Sequence, residues 1–217
     1  MFSSAMTGKT ETASEVVFKN SIHEDIGNPR RRGAVNIIEE GYEISAGGTD
    51  IWGRRDEFTF LYEGKDGDFD FRVRLESLSP VDLYTKAGIM ARESIAEDAR
   101  HVYFHVFPSN SKRNRNDGGY EYQYRQVKGR EMKAIYPHTA GDNPRYPVNF
   151  PNTWLRLVRR ENVFTGYFSV DGKKWKEYAA FGLDVPRSIF LGVAVTSHNP
   201  NELTTARFRN ITCTERR

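Results

Sequence analysis

The stretch DFDFRVRL, residues 68–75, sets Phe69, Phe71, Val73 and Leu75 on one side and Asp70, Arg72 and Arg74 on the other. A period of two places successive side chains on opposite faces of an extended chain, so the segment is read as a strand with one face buried. The same alternation recurs in HVYFHVF at 101–107, with Val102, Phe104 and Val106 set against His101, Tyr103 and His105. In YEYQYRQ at 120–126, Tyr120, Tyr122 and Tyr124 oppose Glu121, Gln123 and Arg125. In VFTGYFSV at 163–170, Phe164, Gly166 and Phe168 oppose Thr165, Tyr167 and Ser169. Turn signals separate these runs: Gly64 to Gly67, NDGG at 116–119, Asp171-Gly172, and HNPN at 198–201. VDGKKWKEYAAF at 170–181 reads as a hairpin that turns at Asp171-Gly172 and resumes at Trp175. No segment sustains a 3.6-residue period and none repeats. About a dozen short strands with such turns predict an all-β fold, a two-sheet antiparallel sandwich. Val73, Ile89, Phe104, Leu157, Phe168 and Val193 are the expected core between the sheets.

Length and composition fit one domain. The chain has 217 residues, of which 13 % are aromatic, enough for a large core. A polar tail over residues 1–15 is expected to precede a single domain over 16–217. The tail has no apolar stretch of the kind a signal peptide needs, and it reads as a tail or tag remnant. The 32 basic and 29 acidic residues nearly balance, which argues against a dedicated nucleic-acid binder. No run approaches the roughly 18 apolar residues of a membrane span. Cys213 stands alone, so no intramolecular disulfide can form. Two regions break the strand pattern. SNSKRNRNDGG, 109–119, is expected to be a solvated hairpin tip, the alternative being an anion contact. Residues 129–152 carry four prolines, with His138 and Asp142 among them, and are long for a connection. NPRRRG at 28–33 reads as a charged turn.

GGTDIWGRRDEFTFLY, GDFDFRVRLESL, KAGIMARES, TWLRLVRRENVFTGYFSVDGKKW and FLGVAVTSHN followed by LTTARFRNI, in that order, resemble the motifs of one family. It is the uncharacterised concanavalin A-like domain family with a yeast relative called a regulator of enolase; bacterial members are often appended to secreted, carbohydrate-active proteins. The resemblance spans roughly residues 34–212. It implies a jelly-roll sandwich with one concave sheet on which lectin-like relatives hold glycans, and it favours a secreted or periplasmic location. Function does not follow from fold alone.

In KAGIMAR, 86–92, Ala87, Ile89 and Ala91 take the core face and leave Lys86, Gly88, Met90 and Arg92 on the other. The same parity sets Arg92, Tyr103, His105, Gln123, Arg125, Arg156 and Tyr167 on outward faces, and these seven are the expected ligand-binding residues. Aromatic rings pack on the apolar faces of sugars, while amides and guanidiniums bind hydroxyl, carboxylate and sulfate groups. The expected ligand is therefore a polysaccharide or oligosaccharide, with acidic polymers favoured by the arginines. The alternative for Arg92, Arg125 and Arg156 is cross-strand pairing with Glu93, Glu121 or Asp70. Trp52 is expected in the core and His198 as a loop-fixing hydrogen-bond partner. Asp50 would cap a loop or join a structural calcium site, although no clustered acidic set is evident and no cofactor is expected.

Catalytic readings are weaker. Asp68 and Asp70 are the one acidic pair at strand spacing, read as a solvated edge rather than a glycosidase pair. A lyase would use a tyrosine or histidine base with neutralising arginine and glutamine, and Tyr103, His105, Gln123 and Arg125 supply those types. A protein-interaction module without a sugar ligand is the third reading.

Overall fold

A computed structural model describes residues 18, 20–113, 118–136 and 146–216. The proposed tail over 1–15, His138 and Asp142 lie outside them. Every regular element among the described residues is a strand, as the period of two predicts. In chain order these are β1 (Ile22–Ile26), β2 (Ala34–Ile38), β3 (Gly41–Ala46), β4 (Ile51–Trp52), β5 (Arg55–Asp56), β6 (Phe58–Asp66), β7 (Asp68–Leu78) and β8 (Lys86–Arg92). They continue with β9 (His101–Val106), β10 (Tyr120–Arg125), β11 (Lys133–Ile135), β12 (Thr153–Arg160), β13 (Val163–Ser169), β14 (Lys176–Gly182), β15 (Ser188–Thr196) and β16 (Thr204–Arg216).

Two seven-stranded antiparallel sheets form the body. Sheet A runs β1-β6-β15-β8-β9-β10-β11 and sheet B runs β14-β13-β12-β7-β16-β3-β2. Their facing sides enclose the main core. Ile89, Phe104 and Val193 from sheet A meet Val73 and Leu157 from sheet B, all fully buried. Phe168 is only partly buried, packed on the edge of that core. The expected burial therefore holds at Val73, Ile89, Phe104, Leu157 and Val193, and only in part at Phe168. At the β13–β14 turn, Asp171 Oδ1 accepts the amides of Lys173 and Lys174, both at 2.8 Å, which fixes the expected hairpin.

The outer face of sheet A is not open. The short β4–β5 hairpin forms a third sheet of its own. A second apolar cluster, including Ile51, Phe58, Phe60, Met90, Tyr103 and Met132, fills the space beneath it. This extra layer decides the fate of most of the predicted site.

Candidate functional site

Arg92, with which KAGIMAR ends, is 1 % exposed, and Arg125 is fully buried. Both reach Asp56 on β5, which is itself fully buried. Arg125 forms a bidentate pair with Asp56, Nη1 to Oδ2 and Nη2 to Oδ1, each at 2.7 Å. The Arg92 Nη2 lies 3.5 Å from Asp56 Oδ2 and also donates to the carbonyl of Ala96, while Nε donates to the carbonyl of Ser94 at 2.7 Å. Two cations from the sheet thus hold one carboxylate of the covering hairpin. Ion pairing is thus the outcome for both, with neither taking Glu93 or Glu121, whereas Arg156 does take the expected Asp70, Nη2 to Oδ2 at 2.6 Å. Burial, helped by the neighbouring Arg125 charge, lowers the Arg92 pKa to about 10 against the pull of Asp56. His101 stands 3.7 Å from the same carboxylate, and burial depresses its pKa to about 3, so it stays neutral.

Tyr103 and His105 are likewise fully buried. The Tyr103 hydroxyl donates to the carbonyl of Ala194 at 2.9 Å, and burial raises its pKa well above the ordinary value. His105 stacks on Tyr103, centroids 4.5 Å apart. The lyase constellation is therefore sealed: neither the phenol nor the Arg125 guanidinium reaches solvent. Arg156 and Tyr167 pair with each other on β12 and β13, on the outer side of sheet B. The seven predicted residues form no common surface. Asp70 also departs from expectation: it is no solvated edge but 2 % exposed and held by two arginines.

What remains accessible lies at one end of the sheet A outer face. A pocket of about 320 Å³ is lined by Asp50, Trp52, Tyr84, Lys86, Glu121 and Gln123, together with Arg113, Tyr136 and His198. That volume falls in the range of small-ligand sites, about 300–1,000 Å³. Lys86 and Gln123 enter by the parity of β8 and β10. Trp52 comes from the β4–β5 hairpin and is 39 % exposed, not core. His198 sits in the turn after β15 with φ of +58°, a left-handed conformation, and its ring lies 5.3 Å from that of Tyr84. Its Nδ1 lies 2.9 Å from Asp82 Oδ1 and its Nε2 3.4 Å from Asp50 Oδ2. Hydrogen bonding to Asp50 raises its pKa. Asp50 in turn also takes the Lys86 ammonium. Burial would raise the Asp50 pKa, but Lys86 and His198 outweigh it and bring it below the usual value.

Also lining the pocket, Glu121 is 5 % exposed, 3.6 Å from His105 Nε2, and accepts the Gln123 amide. Burial would raise its pKa; His105, the charge on Lys86 and Gln123 together lower it instead. Gln123 is 2 % exposed, and its Oε1 has no partner among the described residues. Arg113, expected in a solvated tip, is 2 % exposed with its guanidinium 4.2 Å over Phe107. It donates to the carbonyls of Leu83 and Ser111 at 2.7 Å, of Ser109 at 2.8 Å and of Gly118 at 3.3 Å. Its N–H groups are spent on backbone, so it lends the pocket charge but no donors. No group of three or more His, Cys, Asp and Glu side chains among the described residues is arranged to hold a metal ion. No helix among them is long and apolar enough to cross a membrane.

No known family's sequence model matches the chain, and no curated protein does. Solved structures do. A protein of unknown function from Saccharomyces cerevisiae superposes with a TM-score of 0.67 at 16 % identity, over 92 % of this chain and 98 % of that one. A carbohydrate-binding module from Bacillus subtilis gives 0.56 at 13 % identity, over 89 % and 95 %. A legume lectin-like domain from Entamoeba histolytica gives 0.54 at 9 % identity, over 90 % of each. The fold is a concanavalin A-like jelly-roll sandwich. At these identities the likeness carries the fold, one that lectins and carbohydrate-binding modules share, and the site must be argued from its own residues.

Asp50 and Trp52 in DIWG and His198 in SHN read from the sequence as a loop cap or calcium ligand, a core ring and a loop-fixing partner; His198 does hold its loop, against Asp82 and Asp50, while Trp52 is not core. The signal that unites them is weak: an acid and an aromatic beside a two-residue hairpin, 148 and 146 positions before a histidine that sits in a left-handed turn.

Proposed function

We propose that this pocket binds a neutral saccharide without catalysis. The carrying observation is the Oε1 of Gln123, a buried acceptor on a residue that lines the pocket, without a partner among the described residues. A buried unpaired acceptor costs about 1–3 kcal/mol, a deficit that a ligand hydroxyl would relieve. The carboxylates of Asp50 and Glu121 add acceptors, whereas the Lys86 and Arg113 cations are already engaged. An acceptor-rich wall beside the rings of Trp52 and Tyr84 suits a polyol that donates hydrogen bonds and stacks an apolar face. An acidic sugar would meet Asp50 and Glu121, so the acidic preference expected from the arginines does not suit this pocket. Membership of the family with the yeast relative belongs to the same proposal, supported by the chain-wide likeness to the yeast structure.

The ligand is well hydrated and the contacts few, so an affinity of about 10 µM to 1 mM is expected, roughly 4–7 kcal/mol. A broad glycan screen repeated with Trp52→Ala and Gln123→Met tests the reading. Binding that drops about tenfold or more in both variants supports it. Hits that bind both variants as well as the wild type place the ligand elsewhere, and a screen without hits leaves the protein-interaction reading in its place.

A further inference from the structure

The outer face of sheet B carries the chemistry that the pocket lacks. Arg156 on β12 lies between Tyr167 on β13 and Arg72 on β7, one row across three neighbouring strands. Both arginines grip Asp70. Arg156 donates Nε to Oδ1 at 2.8 Å and Nη2 to Oδ2 at 2.6 Å; Arg72 does the same at 3.0 and 2.9 Å. One carboxylate therefore fixes two guanidiniums, and one positive charge is left over. Burial would raise the Asp70 pKa, but the two arginines outweigh it and hold it at about 2, so this geometry persists at ordinary pH.

The arginines have spent only one edge of each fork. The Nη1 group of each has no partner among the described residues, and the side chains are 39 % and 19 % exposed for Arg72 and Arg156. Aromatic rings flank them: Trp175 lies 5.8 Å from both guanidinium centres, and Tyr167 5.0 Å from that of Arg156. Trp154 meets Trp175 edge-on at 6.4 Å. Next along the face, Arg74 and Arg209 share Glu76. Four guanidiniums thus answer two carboxylates, and the adjoining turn adds Lys173 and Lys174 against Asp171.

We infer that this face is a second ligand surface, distinct from the pocket, that binds an acidic glycan whose carboxylate or sulfate takes the free Nη1 edges while its ring packs on Trp175 and Tyr167. Pre-oriented guanidiniums lose little freedom on binding an anion, and excess positive charge on an exposed sheet repels cationic partners. Neutral sugars could use the rings but would leave the excess charge unanswered. The inference stands independently of the pocket.

The test measures binding of oligogalacturonate, its methyl-esterified form and a heparin oligosaccharide by calorimetry, to the wild type and to Arg156→Gln, Trp175→Ala and Trp52→Ala. Arg72 still holds Asp70 in Arg156→Gln, and Trp175 lies outside the strands, so both variants should fold; the urea midpoint checks this. Expected is binding of at least one anionic oligosaccharide, weakened by added salt, about tenfold weaker for each of Arg156→Gln and Trp175→Ala, and unchanged by Trp52→Ala. Preference for galacturonate over its ester identifies a carboxylate ligand; heparin alone identifies a sulfate one. Binding equal to ester and acid, binding lost only with Trp52→Ala, or no binding by either anionic oligosaccharide overturns the inference.

Discussion

Replacing Asp56 with alanine should unfasten the β4–β5 hairpin from sheet A. The carboxylate is fully buried and serves two guanidiniums, bidentate at 2.7 Å to Arg125 and at 3.5 Å to Arg92. The arginines keep other partners, since Arg125 also donates to the carbonyls of Gly53 and Arg130 at 3.1 Å, and Arg92 to those of Ser94 and Ala96. Hydrogen bonding is thus mostly retained, and what is lost is charge compensation for two cations in a dry layer. Removing one partner of a buried ion pair costs about 3–5 kcal/mol. Against the roughly 5–15 kcal/mol that stabilises an ordinary domain, that is a large fraction. Urea unfolding followed by tryptophan fluorescence measures the loss. The hairpin also carries Trp52, so saccharide binding should fall in the variant even where it remains folded. Substituting Asp56, Arg92 and Arg125 together by apolar residues of similar size should recover much of the stability, because desolvation of all three charges is then avoided. A loss below about 1 kcal/mol for Asp56→Ala, with saccharide binding intact, would refute the claim that this ion cluster secures the covering layer.

Phe104 packs against Tyr120, Tyr122 and Tyr178 at the centre of the sandwich. Phe104→Ala should cost about 3–5 kcal/mol in the same urea assay, and a loss near 1 would mean the cavity collapses or the core lies elsewhere. Gly88→Ala should also destabilise, since a Cβ there would fall 2.3 Å from both the His105 Cα and the Phe104 carbonyl oxygen; an unchanged urea midpoint would contradict that close approach. For pH, the depressed His101 value means that the unfolded chain takes up a proton near 6.5 that the folded chain refuses until about 3. Stability should therefore fall as pH drops through that window, by up to about 1.4 kcal/mol per unit from His101. His105, lowered by burial, acts in the same direction. His198 acts oppositely: its raised value adds stability below 6.5 that is lost as pH rises through the folded value. Urea midpoints from pH 7 downward check the sum, and a His101→Gln variant that keeps the full slope would show that His101 is not its source.

The strands, their parity and the two-sheet sandwich were legible in the chain because burial against a sheet imposes a period of two that aromatic and β-branched residues make plain. The reading that Ala87, Ile89 and Ala91 face one way and Lys86, Met90 and Arg92 the other was correct. Alternation, however, reports only that a strand has two faces, not what lies over each. An arginine beneath a covering hairpin, paired with an aspartate thirty-six or sixty-nine positions earlier, has the same local pattern as an arginine open to solvent. That Arg156 and Tyr167 belong to the other sheet was equally hidden. Sheet membership follows from pairings such as β12 with β7 and β15 with β8, whose partners lie 78 to 110 residues apart and leave no mark in either strand's period. The period of two decides which residues can face outward; only the tertiary structure decides which of those are covered, and so leaves Gln123 at a pocket and Arg156 on an open sheet.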